Sequence, residues 1–296
     1  MDLFAPLTIK FTLPVKSAPS RKVGGNFVQK LLFRASKVEA QIKVAEFSGY
    51  FELVTGLRPP LDIVYLKDPN TRGKCRLGVP SLKAEEHFSL QNWPEDIQLS
   101  WEQFPEQAFP TKPEKINDLW RHQFQFKEED PEHGFPGLRK PQLGALHAIA
   151  GYFSTDLQVE PATVVLPTGT GKTETMLATM VYQQCEKILL IVPSDSLRTQ
   201  ISKKFIDLGY LPELTVVPPD IALPNVAVIR KGIQSPEEAS LLANAANVLI
   251  ATTSVLSACS EQALNALCEQ CSDLFVDEAH HISATSWQAI RERFRD

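Results

Sequence analysis

The sequence predicts an α/β protein in which a parallel sheet, covered by helices on both faces, follows a smaller β-rich or α+β domain. From residue 138 onward, short apolar runs alternate with segments of helical length, as in parallel sheets that are buried on both faces. In the first 66 residues, apolar and polar residues instead alternate in part, which favours separate β-strands. A chain of 296 residues is long enough for two domains.

Each element is assigned from its local pattern. The alternating stretches of the first domain predict strands at Leu7–Leu13, Val38–Val44 and Leu61–Leu66. The apolar runs of the second predict strands at Thr163–Leu166, Lys187–Val192, Val226–Ile229, Asn247–Ala251 and Asp273–Val276. The segments between these runs predict helices at Lys172–Cys185, Ser196–Leu208, Pro236–Ala246 and Gln262–Gln270.

Charge and proline content predict where the domains meet. The net charge is +8 over residues 1–84, −8 over 85–135 and −5 over 136–296. We therefore assign residues 1–135 to an N-terminal accessory domain with a basic first half and an acidic, proline-rich connection, and residues 136–296 to the parallel-sheet domain. The overall charge of −5 excludes a global electrostatic argument for nucleic-acid binding, so any such surface is local.

The composition is that of an ordinary soluble protein, with 43% hydrophobic and 22% charged residues. The start resembles no signal peptide and no apolar stretch is long enough for a membrane span, which predicts a cytoplasmic location. The five cysteines are an odd number without regular spacing, which favours reduced thiols. Cys268-x-x-Cys271 would bind zinc only with further ligands such as Cys259 and His280, and we favour packing at a helix end.

A phosphate-binding loop is predicted at Leu166-Pro-Thr-Gly-Thr-Gly-Lys-Thr173, between an apolar run and a helical segment. Gly169 and Gly171 allow backbone N–H groups to surround phosphate oxygens. Lys172 adds a positive charge for the β- and γ-phosphates, and the Thr173 hydroxyl is a ligand for Mg²⁺. Leu166 stands where the strict pattern has a small residue, whereas the Gly-x-Gly-Lys-Thr core is intact.

Two carboxylates follow the last apolar run, at Asp277 and Glu278. In a parallel sheet, ligands bind beyond the carboxyl ends of the strands, so we expect this pair to face the phosphate loop. Asp277 is then placed to hold Mg²⁺ through water, and Glu278 to deprotonate the water that attacks the γ-phosphate. The alternative, a pair of carboxylates that only faces solvent, does not explain their position after a buried strand.

These two motifs resemble the DEAD/DEAH-box helicases of superfamily 2, whose box is spelled by Asp277-Glu-Ala-His280. Three further segments are similar to motifs of that family in the same order: Leu138–Gln142, Val192–Gln200 and Ala251–Leu256. The residues that follow the box, to Trp287, look more like bacterial restriction-type and defence-associated helicases. The resemblance implies a RecA-like sheet for residues 136–296.

The resemblance also implies roles for individual residues. It places ATP contacts at Arg139, Gln142, Pro167, Thr168, Gly169, Thr170, Gly171, Lys172 and Thr173, with Gln142 at the adenine edge. It places Mg²⁺ at Thr173 and Asp277, catalysis at Lys172 and Glu278, and contacts with the nucleic-acid backbone at Pro193, Ser194, Arg198, Gln200, Thr252 and Thr253. From the residues alone, alternatives stay open: a surface amide at Gln142, a helix cap at Pro193–Ser196, and a polar strand end at Thr252 and Thr253.

The expected function is an ATP-driven helicase or translocase on DNA rather than RNA, in bacterial restriction, repair or phage defence. A phosphate-loop kinase would share Lys172 and Thr173 but would not explain five ordered motifs. A catalytically incomplete nucleotide-binding or scaffold protein is the third class. The basic first segment predicts a substrate-guiding or partner-docking module, with Arg72, Lys74 and Arg76 as candidate DNA contacts, and the Glu-x-Lys pattern of a nuclease is not met by Glu39 and Asp62.

The resemblance further implies a second RecA-like domain that supplies arginine fingers, in cis or in trans, and we expect the chain to be an N-terminal fragment of a longer protein. We therefore predict that the 296-residue chain by itself binds ATP weakly and hydrolyses it negligibly, because an arginine finger contributes about 10³ to 10⁵ in rate. A phosphate-release assay with and without DNA checks this, and robust DNA-stimulated turnover would contradict it.

Overall fold

The computed structural model describes residues 7–72, 78–94, 96–106, 113–155, 161–279 and 290–294. The chain divides into two compact units, one of Met1–Ala18 with Leu32–Thr111 and one of Pro19–Leu31 with Lys112–Asp296. The sequence assignment of 1–135 to one domain differs from this division, because residues 19–31 and 112–135 pack with the second unit. Lys74, Arg76, Cys75 and His280 lie outside the described residues.

The secondary structure consists of thirteen strands and seven α-helices in the described residues. The strands are β1 (Leu7–Leu13), β2 (Lys16–Ser17), β3 (Arg21–Val23), β4 (Asn26–Phe33), β5 (Ser36–Val44), β6 (Tyr50–Val54), β7 (Ile63–Lys67), β8 (Ser81–Ala84), β9 (Leu99–Gln103), β10 (Ile188–Val192), β11 (Asn225–Val228), β12 (Val248–Thr252) and β13 (Asp273–Val276). The helices are α1 (Glu114–Trp120), α2 (Lys140–Phe153), α3 (Lys172–Tyr182), α4 (Asp195–Asp207), α5 (Pro236–Ala243), α6 (Thr253–Ser257) and α7 (Glu261–Glu269). A 3₁₀ turn covers Glu292–Phe294.

The first unit is a curled mixed sheet in the order β1-β5-β6-β7-β8-β9. Alternate residues of its strands, such as Leu13, Leu53 and Leu66, are buried in one apolar core. The sheet curls far enough for the Trp101 indole on β9 to donate to the Pro14 carbonyl, just after β1, at 2.7 Å. The three strands predicted for this part of the chain are confirmed within two residues at each end.

The second unit contains four parallel strands in the order β13-β10-β12-β11. Their side chains alternate between two cores. Leu190 faces the core that α1 to α4 cover, and its neighbour Leu189 faces the core under α5 to α7. The predicted α/β fold with a parallel sheet buried on both faces is therefore confirmed.

One predicted strand of the second unit is wrong. Residues 161–167 have no regular secondary structure, and Val165 is 87% exposed. Apolar residues form a strand only where a neighbouring backbone accepts and donates hydrogen bonds, and among the described residues none pairs with this run. The other four predicted strands of the sheet form where the sequence places them, each within one residue at either end.

An unpredicted hairpin extends the parallel sheet. β4 pairs antiparallel with β11, with Phe27 opposite Val228, and β3 pairs with the other side of β4. The hairpin comes from residues far earlier in the chain than the strand it joins. It explains why residues 19–31 group with the second unit.

Two buried asparagines fix the amino ends of the parallel strands. Asn247, which is 1% exposed, donates to the Pro113 carbonyl at 2.6 Å and accepts from the Asn225 backbone at 3.1 Å. Asn117 on α1 donates to the Cys185 carbonyl at 2.8 Å. These bonds anchor α1 against the start of β10, β11 and β12. In the described residues, no helix has the length and apolar character that a bilayer span requires.

We predict that Asn247→Ala lowers the free energy of unfolding by about 1 to 3 kcal/mol, because it leaves buried backbone groups without a partner. The exposed Asn244 gives a matched control, and Asn244→Ala should change stability by about 0.5 kcal/mol or less. Urea denaturation of both variants measures the difference. Equal stability of the two variants would contradict the role of this network.

Candidate functional site

The predicted phosphate loop runs directly into the first turn of α3. Gly169 and Gly171 have φ values of 81° and 86°, in the left-handed region that glycine adopts without strain. A Cβ atom at Gly171 would also collide with the Gln142 amide nitrogen. Both glycines are thus required by the backbone, and the N–H groups at the start of α3 are donors of the kind that bind anions at a helix N-terminus.

Arg139 and Gln142 hold the loop from the start of α2. The Gln142 side chain is buried, accepts from the Arg139 backbone at 2.8 Å and donates to the Gly171 carbonyl at 3.2 Å. The Arg139 guanidinium donates to the Gly169 carbonyl at 2.8 Å. The surface-amide alternative for Gln142 is therefore wrong. Contact of Gln142 with adenine stays a prediction, since here its amide supports the loop.

The two carboxylates follow β13 at the carboxyl end of the sheet. The Asp277 backbone donates to the Ile191 carbonyl at 2.9 Å, which continues the pairing of β13 with β10 by one residue. Glu278 has a φ of 49°, a left-handed conformation that is uncommon outside glycine. Such strain is concentrated at functional sites.

The loop and the carboxylates meet in an ion pair. The Lys172 ammonium lies 2.9 Å from a Glu278 carboxylate oxygen, although 106 positions separate them in the chain. Burial raises the pKa of Asp277 above its ordinary value, and the charge of Glu278 raises this pKa further, while Lys172 opposes the shift. Two neighbouring acids and one lysine thus share a site where a divalent cation would relieve the acid–acid repulsion.

The donor atoms at this site fit Mg²⁺. The Thr173 hydroxyl and the Asp277 carboxylate are hard oxygen ligands of the kind that Mg²⁺ prefers. Thr173 is partly exposed in the first turn of α3, and Asp277 is 9% exposed at the end of β13.

The predicted backbone-contact residues fall into two groups. Ser194 caps α4 by accepting from the Leu197 backbone at 3.3 Å, and Thr252 caps α6 by accepting from Val255 at 3.4 Å. Pro193, Ser194 and Thr253 are partly exposed and Gln200 is exposed.

Arg198 and Thr252 are instead buried, at 6% and 1% exposure. The Arg198 guanidinium donates to the Ile229 carbonyl at 3.0 Å and pairs with Asp195 at 3.1 Å. Since these two side chains are engaged inside the fold, we assign them a supporting role and correct the prediction of direct contact.

Sequence reasoning missed one charged link between α3 and α4. Glu174, in the first turn of α3, pairs with Lys204 of α4 at 2.6 Å, and the Glu174 side chain is 8% exposed. An acidic residue directly after Lys172-Thr173 gave no signal, because its partner lies 30 positions further along the chain.

The cysteine pair belongs to the apolar core. Cys268 and Cys271 are buried in the core under α5 to α7, and the Cys271 thiol donates to the Leu267 carbonyl at 3.2 Å. Burial raises the pKa of each thiol to about 12, as expected for cysteines that pack among apolar side chains. This favours the packing interpretation.

Comparison with known proteins gives one family. A family model described as the type III restriction enzyme, res subunit, matches residues 136–296. The matched range contains the phosphate loop, the carboxylates and all four parallel strands. No curated protein matches the chain. The family match confirms the predicted resemblance to restriction-type helicases of superfamily 2 and the RecA-like fold of this range.

We predict that Asp277→Asn raises the melting temperature at pH 7 in EDTA by about 1 to 4 °C. The pKa of Asp277 is raised in the folded protein, so the ionised carboxylate destabilises the fold above its ordinary pKa, and the amide removes that charge. The gain should shrink as the pH falls through the raised pKa. The exposed Asp118 serves as a control, and an equal gain in Asp118→Asn would contradict the explanation.

Proposed function

The chain belongs to the family of the type III restriction enzyme res subunit, and we propose that it forms the nucleotide-binding part of an ATP-driven motor that moves on DNA. Membership makes it a helicase-family, ATP-dependent nucleic-acid enzyme of the restriction type. Translocation, the choice of DNA over RNA and a role in bacterial restriction, repair or phage defence are our extension. The observation that carries the proposal is the contact between Lys172 and Glu278, which joins the phosphate loop to the carboxylate strand.

The positions of the residues support the role that we propose for each. Lys172 and the N–H groups of the loop bind the phosphates, with Arg139 and Gln142 holding the loop in shape. Thr173 and Asp277 would hold Mg²⁺, which would supply charge neutralisation on the phosphate oxygens. When a phosphate attracts Lys172, Glu278 is freed to accept a proton from water. The water oxygen then bonds to the γ-phosphorus as the bond to the ADP oxygen breaks.

Nucleic acid is proposed to bind along the carboxyl edge of the same sheet. Ser194, Gln200 and Thr253 offer exposed or partly exposed polar groups at or after the ends of β10 and β12. Contacts of this kind hold the phosphate backbone without reading the sequence. The pair between Glu174 and Lys204 connects the helix that begins at the phosphate loop with the helix that carries Ser194 and Gln200. It is a physical link by which the two sites affect each other.

We predict that Glu278→Gln keeps or tightens binding of Mg²⁺-ATP to the chain, because Lys172 loses a competing carboxylate at 2.9 Å. Lys172→Ala should weaken binding at least tenfold, since a charge on the phosphates is lost. Titration of a fluorescent ATP analogue measures both. In any preparation of this protein that hydrolyses ATP, Glu278→Gln should abolish turnover.

The two variants remove opposite ends of one ion pair, so each controls for the loss of that pair. Equal weakening of ATP binding by both would show that the pair only stabilises the fold. Retention of turnover by Glu278→Gln would remove the assignment of the general base.

A further inference from the structure

The segment after β11 is held in place by the hairpin at the edge of the sheet. Asn26, at the start of β4, is fully buried. Its side-chain oxygen accepts from the backbone N–H groups of Arg230 at 2.8 Å and Lys231 at 3.1 Å. Its amide nitrogen donates to the Lys231 carbonyl at 3.4 Å. One side chain therefore fixes both residues.

A second clamp acts on the same segment from α4. The buried Arg198 guanidinium donates to the Ile229 carbonyl, one residue before Arg230. Gly232 follows the segment at a point where a Cβ atom would collide with the Ala258 backbone. The backbone of residues 229–232 is thus fixed from three sides, while the side chains of Arg230 and Lys231 are exposed.

The hairpin also contacts the side chains of Arg230 and Lys231, the basic pair. The Arg230 guanidinium lies 5.7 Å from the centre of the Phe27 ring, within the range of a cation–π contact. The stem of Lys231 passes over Gly25, where a Cβ atom would meet its methylene carbons. Lys22 pairs with Phe27 across the hairpin and is exposed, so it shares the face of Phe27 and Arg230. An acidic residue is also close to these cations, because the Glu238 carboxylate lies against the turn at Gly24.

The strand register places the basic pair beside the proposed path of the nucleic acid. Val228 pairs with Ile250, and the Ile229 backbone donates to the Ile250 carbonyl, so Arg230 is level with Thr252 at the end of β12. Thr252 is in turn level with Val192 at the end of β10. With neighbouring strands about 4.8 Å apart, the three strand ends form one continuous edge.

We propose that Lys22, Arg230 and Lys231 contact the nucleic-acid phosphate backbone, in addition to the contacts proposed after β10 and β12. Asn26 is the positioning residue that sets the geometry of this basic group. The inference rests on the proposed function. It makes the early hairpin, which belongs to the second unit, the part of residues 1–135 that builds the nucleic-acid surface. Exposed cations that are fixed by the backbone lose little conformational entropy when they bind phosphates.

The test is DNA binding by the 296-residue chain carrying Arg230→Ala with Lys231→Ala. Anisotropy of a labelled 20-nucleotide single strand, at several salt concentrations, should show at least fivefold weaker binding and a salt slope smaller by about 1.4. Lys22→Ala should lower the slope by about 0.7. An RNA strand of the same sequence, run in parallel, tells which nucleic acid the surface prefers.

The control removes the same charge elsewhere. Arg121 is exposed and Lys187 is partly exposed. Arg121 follows Trp120, whose indole donates to the Ala222 carbonyl near the opposite edge of the sheet. Lys187 directly precedes β10, at the amino end of the parallel strands. Arg121→Ala with Lys187→Ala should leave the affinity within about twofold and the slope unchanged.

A double-mutant cycle tests the positioning role. Asn26→Ala should weaken DNA binding without changing ATP binding, and it should add nothing in the Arg230→Ala, Lys231→Ala background. A variant that only loosened the fold would weaken binding in both backgrounds.

The outcomes separate the two hypotheses. If the unmodified chain binds neither DNA nor RNA, the proposed function fails. If it binds and the Arg230, Lys231 variant behaves like the control, the inference is overturned while the function stands, and the basic pair then serves a protein partner or solubility.

Discussion

The parallel pairing of β10 with β12 and β13 is the constraint on which both proposed sites depend. Because parallel strands end on the same edge, Val192, Thr252 and Val276 deliver the residues that follow them to one side of the sheet. A one-residue slip of β13 would turn its alternating side chains to the opposite faces and move Asp277 out of the site. Strands that are apolar on both faces set this register, since each position has a core on one side or the other.

The charged pairs of this domain connect elements that the apolar core alone would not orient. Lys172 and Glu278 join the phosphate loop to β13, and Glu174 and Lys204 join α3 to α4. The first pair is partly exposed and lies where a phosphate would compete for the lysine, so it is suited to exchange. The second has a mostly buried carboxylate, and breaking such a pair leaves an uncompensated charge. The pair of Lys172 and Glu278, which can exchange partners, therefore lies at the proposed catalytic site. The pair of Glu174 and Lys204, which is costly to break, links α3 to α4.

The sequence predicted those parts of the fold whose signals are local. Four apolar strands, the four longer helices after the loop and the two glycines of the loop depend on neighbours within a few residues. The strand at Thr163–Leu166 was wrong because strand formation depends on a partner, which apolar composition does not reveal. Glu174 with Lys204 and the joining of β4 to β11 were missed because each links residues that are distant in the chain. The burial of Arg198 could not be predicted from its residue type, since an arginine on a polar helix is usually exposed.

The hairpin shows how one addition to a sheet can serve two physical needs. Without β4, β11 would present an unpaired edge, which favours association with other chains. β4 satisfies that edge, while Asn26 at its start places a buried amide against the segment where β11 ends. An antiparallel strand begins beside the carboxyl end of its parallel-sheet neighbour, so the hairpin turn arrives at the edge where ligands bind. The hairpin of β3 and β4 therefore both pairs with the open side of β11 and brings its turn to the carboxyl ends of the parallel strands. These two contacts explain why an early segment of the chain folds with the second unit.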